Sequence, residues 1–380
     1  MYTEIETDAK TKGNSTSALI EMRDIEKIFK TGAGDFTALN HVNVCFYQGE
    51  FVSVVGKSGS GKSTLVNMLT GIDHPTSGIV KVGEKYIHQL SEGEMSIWRG
   101  ENLGIIFQFF QLLPMLTILE NVMLPMDFAK LIPFQEREER AMYLLDMVGL
   151  ADNAHDLPAE VSGGQQQSAA IARSLANDPP IIIADEPTGN LDSRSADEVF
   201  KIFTTLAAQG KTIIMVTHDS NLAKRTDRML LLSDGELVNT WIANAFPYLP
   251  DNRLLWLTQQ MSVHSFDPHQ SIPLPSNQQA ALYLFTTGPV EFVTSNGFFG
   301  KHKVRLNPGD YLSHADVQNF SEEVLGLRGL NGEEVKALVL DKNSFQRWMD
   351  EDRHDKSLLT KAAMDRLSAW RNIGESSTGK

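Results

Sequence analysis

Eight residues, Gly56-Lys57-Ser58-Gly59-Ser60-Gly61-Lys62-Ser63, narrow the choice of folds more than anything else in this chain. They match G-x-x-x-x-G-K-S, a pattern that works only as the turn between a buried strand and the start of a helix. The flanks comply: Phe51-Val52-Ser53-Val54-Val55 is a short apolar run of strand character, and Thr64 to Leu69 reads as a helix. Gly56, Gly59 and Gly61 let consecutive backbone N–H groups, Ser58 among them, curl around an anion. Lys62 is then in position to reach the β- and γ-phosphates of a nucleotide, and Ser63 to offer its hydroxyl to magnesium.

A sheet must carry such a loop, and the pattern up to about Val238 supplies one. Strands are predicted at 51–55, 79–82, 103–107, 180–185, 211–217 and 228–233, with helices at 62–70, 117–128, 135–148, 163–177 and 195–209. Alternation of this kind predicts an α/β fold with a partly parallel sheet covered by helices. The acidic pair Asp185-Glu186 ends the apolar run Ile181-Ile182-Ile183-Ala184, which puts two carboxylates at the carboxyl edge of that sheet beside the loop. Asp185 is suited to hold magnesium through water and Glu186 to polarise an attacking water. His218 follows the apolar run Ile213-Ile214-Met215-Val216-Thr217 and projects at the same edge.

Composition bounds what else the chain can do. Its 380 residues suffice for two cores, and 42% hydrophobic with 22% charged residues is an ordinary globular balance. Net charge is −14, and residues 1–240 hold 32 acidic against 20 basic side chains, so no basic stripe is left for a nucleic-acid backbone. No apolar run approaches the ~18 residues that span a bilayer, and the acidic start Met1-Tyr2-Thr3-Glu4-Ile5-Glu6 is unlike a signal peptide, which predicts a cytoplasmic protein. The single cysteine, Cys45, is expected at an inward-looking strand position with Val42, Val44 and Phe46.

Val161-Ser162-Gly163-Gly164-Gln165 lies between the phosphate loop and the acidic strand, and with it residues 18–238 resemble the ATP-binding-cassette (ABC) ATPases. The resemblance implies a P-loop NTPase cassette with a mixed sheet and a helical subdomain. ATP would be held by Gly56, Ser58, Gly59, Gly61, Lys62, Ser63 and Thr64, with Phe29 stacked on adenine. Magnesium would be held by Ser63, Gln108 and Asp185, and Glu186, His218 and Gln108 would be catalytic. Gln108 would also belong to the loop that couples nucleotide to partner. Asp192, in the loop Asn190-Leu191-Asp192 that follows the acidic strand, would contribute to the nucleotide site. Ser162, Gly163, Gly164 and Gln165 start a helical run and so offer N–H groups and a positive dipole end to an anion. One phosphate loop per chain means that this second element serves another chain's ATP, which implies a homodimer or paired cassette closing on ATP.

A finer likeness lies in Gly104-Ile105-Ile106-Phe107-Gln108, in Leu112 to Val122 and in Ala184 to Asp192, which are similar to the lipoprotein-releasing and macrolide-exporting subfamily. It implies a separate integral membrane permease as partner and a peripheral place on the inner face of the cell membrane. The apolar stretch Phe109, Phe110, Leu112, Leu113, Met115 and Leu116 would either receive a permease helix or fill the helical subdomain. One departure stands out: Gln166-Gln167 are followed by Ser168 where the family has arginine, which removes a cation near the catalytic interface. Three readings of function stay open at this point: a transporter ATPase, a mechanotransmitting ATPase with no cargo, as in cell-division relatives, and an ATPase gated by a small ligand. Ribosomal and DNA-repair members carry two cassettes or long coiled coils, and neither is present.

The domains expected are a disordered start (1–17), the cassette (18–240), a second domain (241–371) and a flexible tail (372–380). The second domain resembles a cyclic-nucleotide-binding domain, through Leu282-Tyr283-Leu284-Phe285 with Gly288, Leu306-Asn307-Pro308-Gly309-Asp310-Tyr311, and Ala337-Leu338-Val339-Leu340-Asp341 before Phe345. The likeness implies a helix from Arg253 to Met261, a β jelly-roll and closing helices; by their spacing Leu359, Ala363, Leu367 and Trp370 share one face of the last helix, which is expected to pack back on the strands. The family's Phe-Gly-Glu step reads Leu312-Ser313-His314 here, and Arg328 is not in the setting of the phosphate-binding arginine. Losing both groups weakens a cyclic nucleotide by roughly a thousandfold, which favours a dimerisation or docking module over a cyclic-nucleotide sensor. A different ligand, with His314 in its pocket, is the remaining reading.

Overall fold

The computed structural model describes residues 17–32, 34–268, 270–275, 280–295, 301–319, 323–330 and 332–376. The disordered start predicted for 1–17 lies outside them except at Ser17. Of the predicted tail, 377–380 lie outside, while the last helix runs to Ser376. The chain divides into two compact units between Leu237 and Val238.

In the first unit, β1 (Ile20–Thr31), β2 (Gly34–Phe46) and β3 (Phe51–Val55) lead into α1 (Lys62–Thr70). Next come β4 (Ser77–Val82), β5 (Lys85–Tyr86), α2 (Glu92–Asn102), β6 (Leu103–Ile106), α3 (Ile118–Ala129) and α4 (Arg137–Met147). The unit closes with α5 (Gly163–Ser174), β7 (Ile181–Asp185), α6 (Ser193–Ala208), β8 (Thr212–Val216), α7 (Ser220–Ala223), β9 (Arg228–Ser233) and β10 (Glu236–Val238). Two sheets result, an antiparallel one ordered β2-β1-β4-β5 and a six-stranded one ordered β10-β9-β3-β8-β7-β6. The pairings β9-β3, β3-β8, β8-β7 and β7-β6 are all parallel.

Strands β3 and β8 are buried at every residue, as a sheet covered on both faces requires. Alternate residues enter different cores. Ile182, Ala184, Ile213 and Met215 join α3, α4 and α5, whereas Ile181, Ile183, Ile214 and Val216 join α1 and the antiparallel sheet. Local signals set the helix starts. Ser91 with Glu94, Thr117 with Glu120 and Ser162 with Gln165 each close a reciprocal capping box, satisfying two otherwise orphaned N–H groups.

The expectation for Cys45 needs correction. Val42, Val44 and Phe46 are buried in β2, but Cys45 points to the opposite face and is only part-buried. Strand alternation forces this, because the residue between two core positions faces away from that core. Burial still pushes the Cys45 thiol up, away from reactivity.

The second unit begins with α8 (Thr240–Ala245) and α9 (Asp251–Gln260), followed by β11 (Ser262–Phe266), β12 (Ser271–Ile272), β13 (Ala280–Thr287), β14 (Val290–Ser295) and β15 (Lys301–Leu306). Then come β16 (Tyr311–Ser313), α10 (His314–Asn319), β17 (Glu323–Gly329), β18 (Val335–Asp341), α11 (Lys342–Glu351) and α12 (Arg353–Ser376). The strands form two four-stranded antiparallel sheets, β11-β18-β13-β16 and β12-β17-β14-β15. Both contribute to one core, with Tyr283, Phe285 and Val339 from the first and Phe292, Leu306 and Leu327 from the second. The turn read from Asn307-Pro308-Gly309-Asp310 is present: Gly309 has φ +95°, and Asp310 accepts a hydrogen bond from Asn307 N at 2.7 Å. Asp355 is 1% exposed and ties three helices together, accepting from Arg253 Nε at 2.9 Å and Trp348 Nε1 at 3.0 Å. On α12, Leu359 and Ala363 are buried together. The side chains of Leu367 and Trp370 lie outside the described residues.

A buried ion pair ties the turn between β2 and β3 to the start of β9. Arg228, at the start of β9, places Nε 2.9 Å from Glu50 Oε1 and donates from Nη2 to Glu50 Oε2 at 3.1 Å and to the Cys45 carbonyl at 2.6 Å. Phe46 and Tyr47 present their rings to the guanidinium at 6.0 and 5.9 Å. Arg228→Met strands a buried carboxylate, so it is expected to destabilise the unit by about 3–5 kcal/mol in urea unfolding, and the double variant with Glu50→Leu by distinctly less. A double variant as unstable as the single one would mean that the pair is not what holds these segments together.

Candidate active site

Parallel pairing fixes where the predicted residues meet. Val54 is level with Val216, and Val216 with Asp185, so β3, β8 and β7 end together. The phosphate loop, His218 and the acidic pair therefore leave one sheet edge side by side, with Gln108 beyond the end of β6, the next strand.

The loop itself is held by close backbone approach. A methyl group built on Gly56 would lie 2.2 Å from the Leu232 carbonyl oxygen, and one on Gly61, where φ is +102°, 2.4 Å from that of Ala38. Only glycine satisfies both demands. Lys62 folds back over the loop and donates from Nζ to the carbonyls of Gly56 at 2.8 Å and Lys57 at 2.9 Å. Ser60, which the sequence reading did not single out, has a buried hydroxyl oxygen with no hydrogen-bond partner. Its position inside the loop was the available signal.

Burial pushes the Asp185 carboxyl up; hydrogen bonding from Ser63 pulls it back, Glu186 adds to the rise, and the Lys62 charge opposes it. Asp185 Oδ1 is buried without a hydrogen-bond partner. An orphaned carboxylate oxygen beside a serine hydroxyl suits a hard divalent cation such as Mg2+, which keeps several waters and takes few protein ligands. No denser cluster of acidic, histidine or cysteine side chains exists for a metal among the described residues.

Glu186 has φ +51°, a conformation that costs a non-glycine residue about 1–3 kcal/mol and is found where function demands it. Its N–H donates to the Val216 carbonyl at 2.9 Å, so the strained residue is pinned to β8. Oε2 lies 2.6 Å from His218 Nδ1, and while the carboxylate is largely buried the imidazole is exposed. The structure thus brings together Lys62, Ser63, Asp185, Glu186 and His218. Gln108 is exposed, and its carbonyl accepts from Asn190 Nδ2 at 3.4 Å.

The remaining predicted residues lie elsewhere. Phe29 is on the antiparallel sheet, paired in register with Phe36, with Lys27 Nζ 5.0 Å from its ring centroid. Ser162 caps α5, accepting from Gln165 N at 3.3 Å while Gln165 Oε1 accepts from Ser162 N at 2.9 Å. Among the described residues, no hydrogen bond joins Ser162, Gly163, Gly164 or Gln165 to Lys62, Ser63, Asp185 or Glu186. Asp192 caps α6, accepting from Arg194 N, Ser195 N and Ser195 Oγ, and the bond from the Ser195 hydroxyl holds its carboxyl below the usual range. Ser195 was also missed, although it stands three residues after Asp192. Its hydroxyl would be 3.1 Å from a methyl group built on Gly164, so the cap of α6 abuts the start of α5.

The family profile described as ABC transporter matches residues 39–189. The uncharacterised ABC transporter ATP-binding protein YvrO of Bacillus subtilis is 44% identical over 220 residues, covering 58% of this chain and 96% of that protein. The macrolide export ATP-binding/permease protein MacB of Burkholderia cenocepacia is 39% identical over 267 residues, which is 69% of this chain but only 39% of MacB. Among solved structures, the dimeric post-hydrolysis state of the ATP-binding cassette MJ0796 with ADP and Pi superposes with a TM-score of 0.55 at 41% identity, covering 57% of this chain and 96% of that one.

Gly61→Ala combines a positive φ with a backbone clash. Its affinity for a fluorescent ATP analogue is expected to fall more than about tenfold, with helix content unchanged. Binding at the parent affinity would show that the loop adapts.

Proposed function

Since the chain belongs to the ABC transporter ATP-binding family, we propose that its first unit is the ATPase subunit that drives a separate membrane permease of the lipoprotein-release or macrolide-export type, dimerising on ATP. The chain is an ATPase that uses ATP and Mg2+. No described helix is long and apolar enough to cross a membrane. The observation that carries the catalytic assignment is the strained Glu186 at 2.6 Å from His218, beside Asp185.

In this reading Lys62 and the loop N–H groups hold the β- and γ-phosphates, and Thr64 and Phe29 complete the hold on ATP. Ser63, Asp185 and Gln108 would hold Mg2+, which when bound neutralises charge on the phosphate oxygens. Glu186 accepts a proton from the attacking water, and His218 fixes the carboxylate that does so. Ser162, Gly163, Gly164 and Gln165, with Asp192, meet the ATP of the opposite subunit across the dimer.

An exposed apolar surface supports the permease as partner. In the stretch after Gln108, Phe109 is 72% and Met115 87% exposed, whereas Leu112 packs against the core, so only some of these residues fill the helical subdomain and the exposed ones are free to meet a partner. Phe128 and Phe134, at 79% and 71%, add apolar surface that the sequence reading did not identify.

For the second unit we favour a docking or dimerisation module of jelly-roll type. Arg328 donates to Glu291 from Nε at 2.9 Å, and Lys303 lies 3.2 Å from the same carboxylate, so neither cation waits for a cyclic phosphate. Sensing of a small ligand and mechanotransmission without cargo remain the alternatives.

Glu186→Gln is expected to bind ATP normally, accumulate as a dimer and lose at least about a hundredfold in kcat. Turnover at the parent rate would remove Glu186 from its role. Captured with ATP from solubilised membranes of the native host, the same variant is expected to retain a multi-span membrane protein, and recovery of soluble proteins alone would refute the permease assignment.

A further inference from the structure

Arg173 occupies the last turn of α5, where a basic side chain ordinarily meets the open carbonyls of its own helix. Here it reaches across the fold instead. Nη1 donates to the Gln111 carbonyl at 2.5 Å and Nη2 to the Phe110 carbonyl at 2.7 Å. No carboxylate pairs with it among the described residues, and burial alone pulls its pKa down. A guanidinium partly withdrawn from water without a counter-ion is unfavourable unless its donors are well used, and two of them are used on one short loop.

The two carbonyls lie on either side of the Gln111 Cα, and Gln111 has φ +51°. Gripping both peptide groups fixes φ and ψ of a residue that would otherwise relax out of the left-handed region. The same loop touches the far end of the helix. A methyl group built on Gly163 would lie 3.9 Å from Phe110 Cζ, so the Phe110 ring rests against the first residue of α5 while its carbonyl is held in the last turn.

We propose that Arg173 is a positioning residue that fastens the loop after Gln108 to α5, so that the loop sensing nucleotide in one subunit and the helix presenting Ser162 to the other move as one body. The inference rests on the roles given to Gln108 and Ser162 under the proposed function. The geometry gives a fork of two donors onto two carbonyls, which lysine, with its single point charge, reproduces only in part.

The test uses the full chain with Arg173→Lys and Arg173→Met. In hydrogen–deuterium exchange, amides of residues 108–113 are expected to exchange about tenfold faster in Arg173→Met and to be intermediate in Arg173→Lys, while α5 keeps the protection of the parent. In steady-state ATP hydrolysis, kcat is expected to fall about tenfold with KM for ATP within about twofold, because the phosphate loop is untouched. Unchanged exchange at 108–113 in both variants would overturn the proposal. So would equal loss of protection in α5, which marks a packing defect, or faster exchange with parental kcat, which marks a contact without coupling. Glu186→Gln, run alongside, reports on the underlying reading by itself: if it turns over normally while the exchange pattern appears, the catalytic assignment fails and the fastening stands.

Discussion

Parallel pairing in level register is the constraint on which the rest of this structure depends. Because β3, β8 and β7 stop together, loops that are far apart in sequence begin side by side, and no long side chain has to bridge a gap. A shift of one residue in β7 would turn Asp185 toward the opposite face and carry its carboxylate away from the phosphate loop. Burial of β3 and β8 at every position prevents such a slip, because any slip exchanges one packed core for the other. The cores of the first unit therefore set the geometry of the site, well beyond keeping the unit folded.

The start of α5 and the loop after β7 depend on each other in a similar way. Ser162 and Asp192 each cap a helix, and Ser195, bonded to the second cap, lies against Gly164 of the first helix. Groups assigned to the partner's nucleotide are thus already used to define two helix ends. Their orientation is inherited from the capping geometry, which in the proposed dimer would leave little rotational freedom to be lost.

Much of this was legible in the residues. The predicted strands and helices of the first unit recur within a few residues, because fully apolar runs are strong local signals. Lys62, Asp185, Glu186 and His218 could be placed at one edge because each ends a recognisable strand or opens a helix. What stayed hidden is set by long-range geometry. The helix α2 buries only Met95 and Trp98. The face on which Cys45 sits turns on one residue of strand phase. The grip of Arg173 on Phe110 and Gln111 joins residues about sixty positions apart with no pattern to announce it. In the second unit the Asn307–Asp310 turn was readable, but the partnership of Arg328 with Glu291 follows from cross-strand register alone.

The posture of Lys62 changes how the loop is expected to meet its anion. An ammonium has three donors, and two of them are engaged by the carbonyls of Gly56 and Lys57. The flexible four-carbon stem is therefore immobilised by folding, and its rotamer entropy is surrendered before any ligand arrives. The charge stands at a fixed point with one N–H direction left to offer. An incoming phosphate meets a preset electrostatic template rather than a searching side chain, so less entropy is lost when it binds.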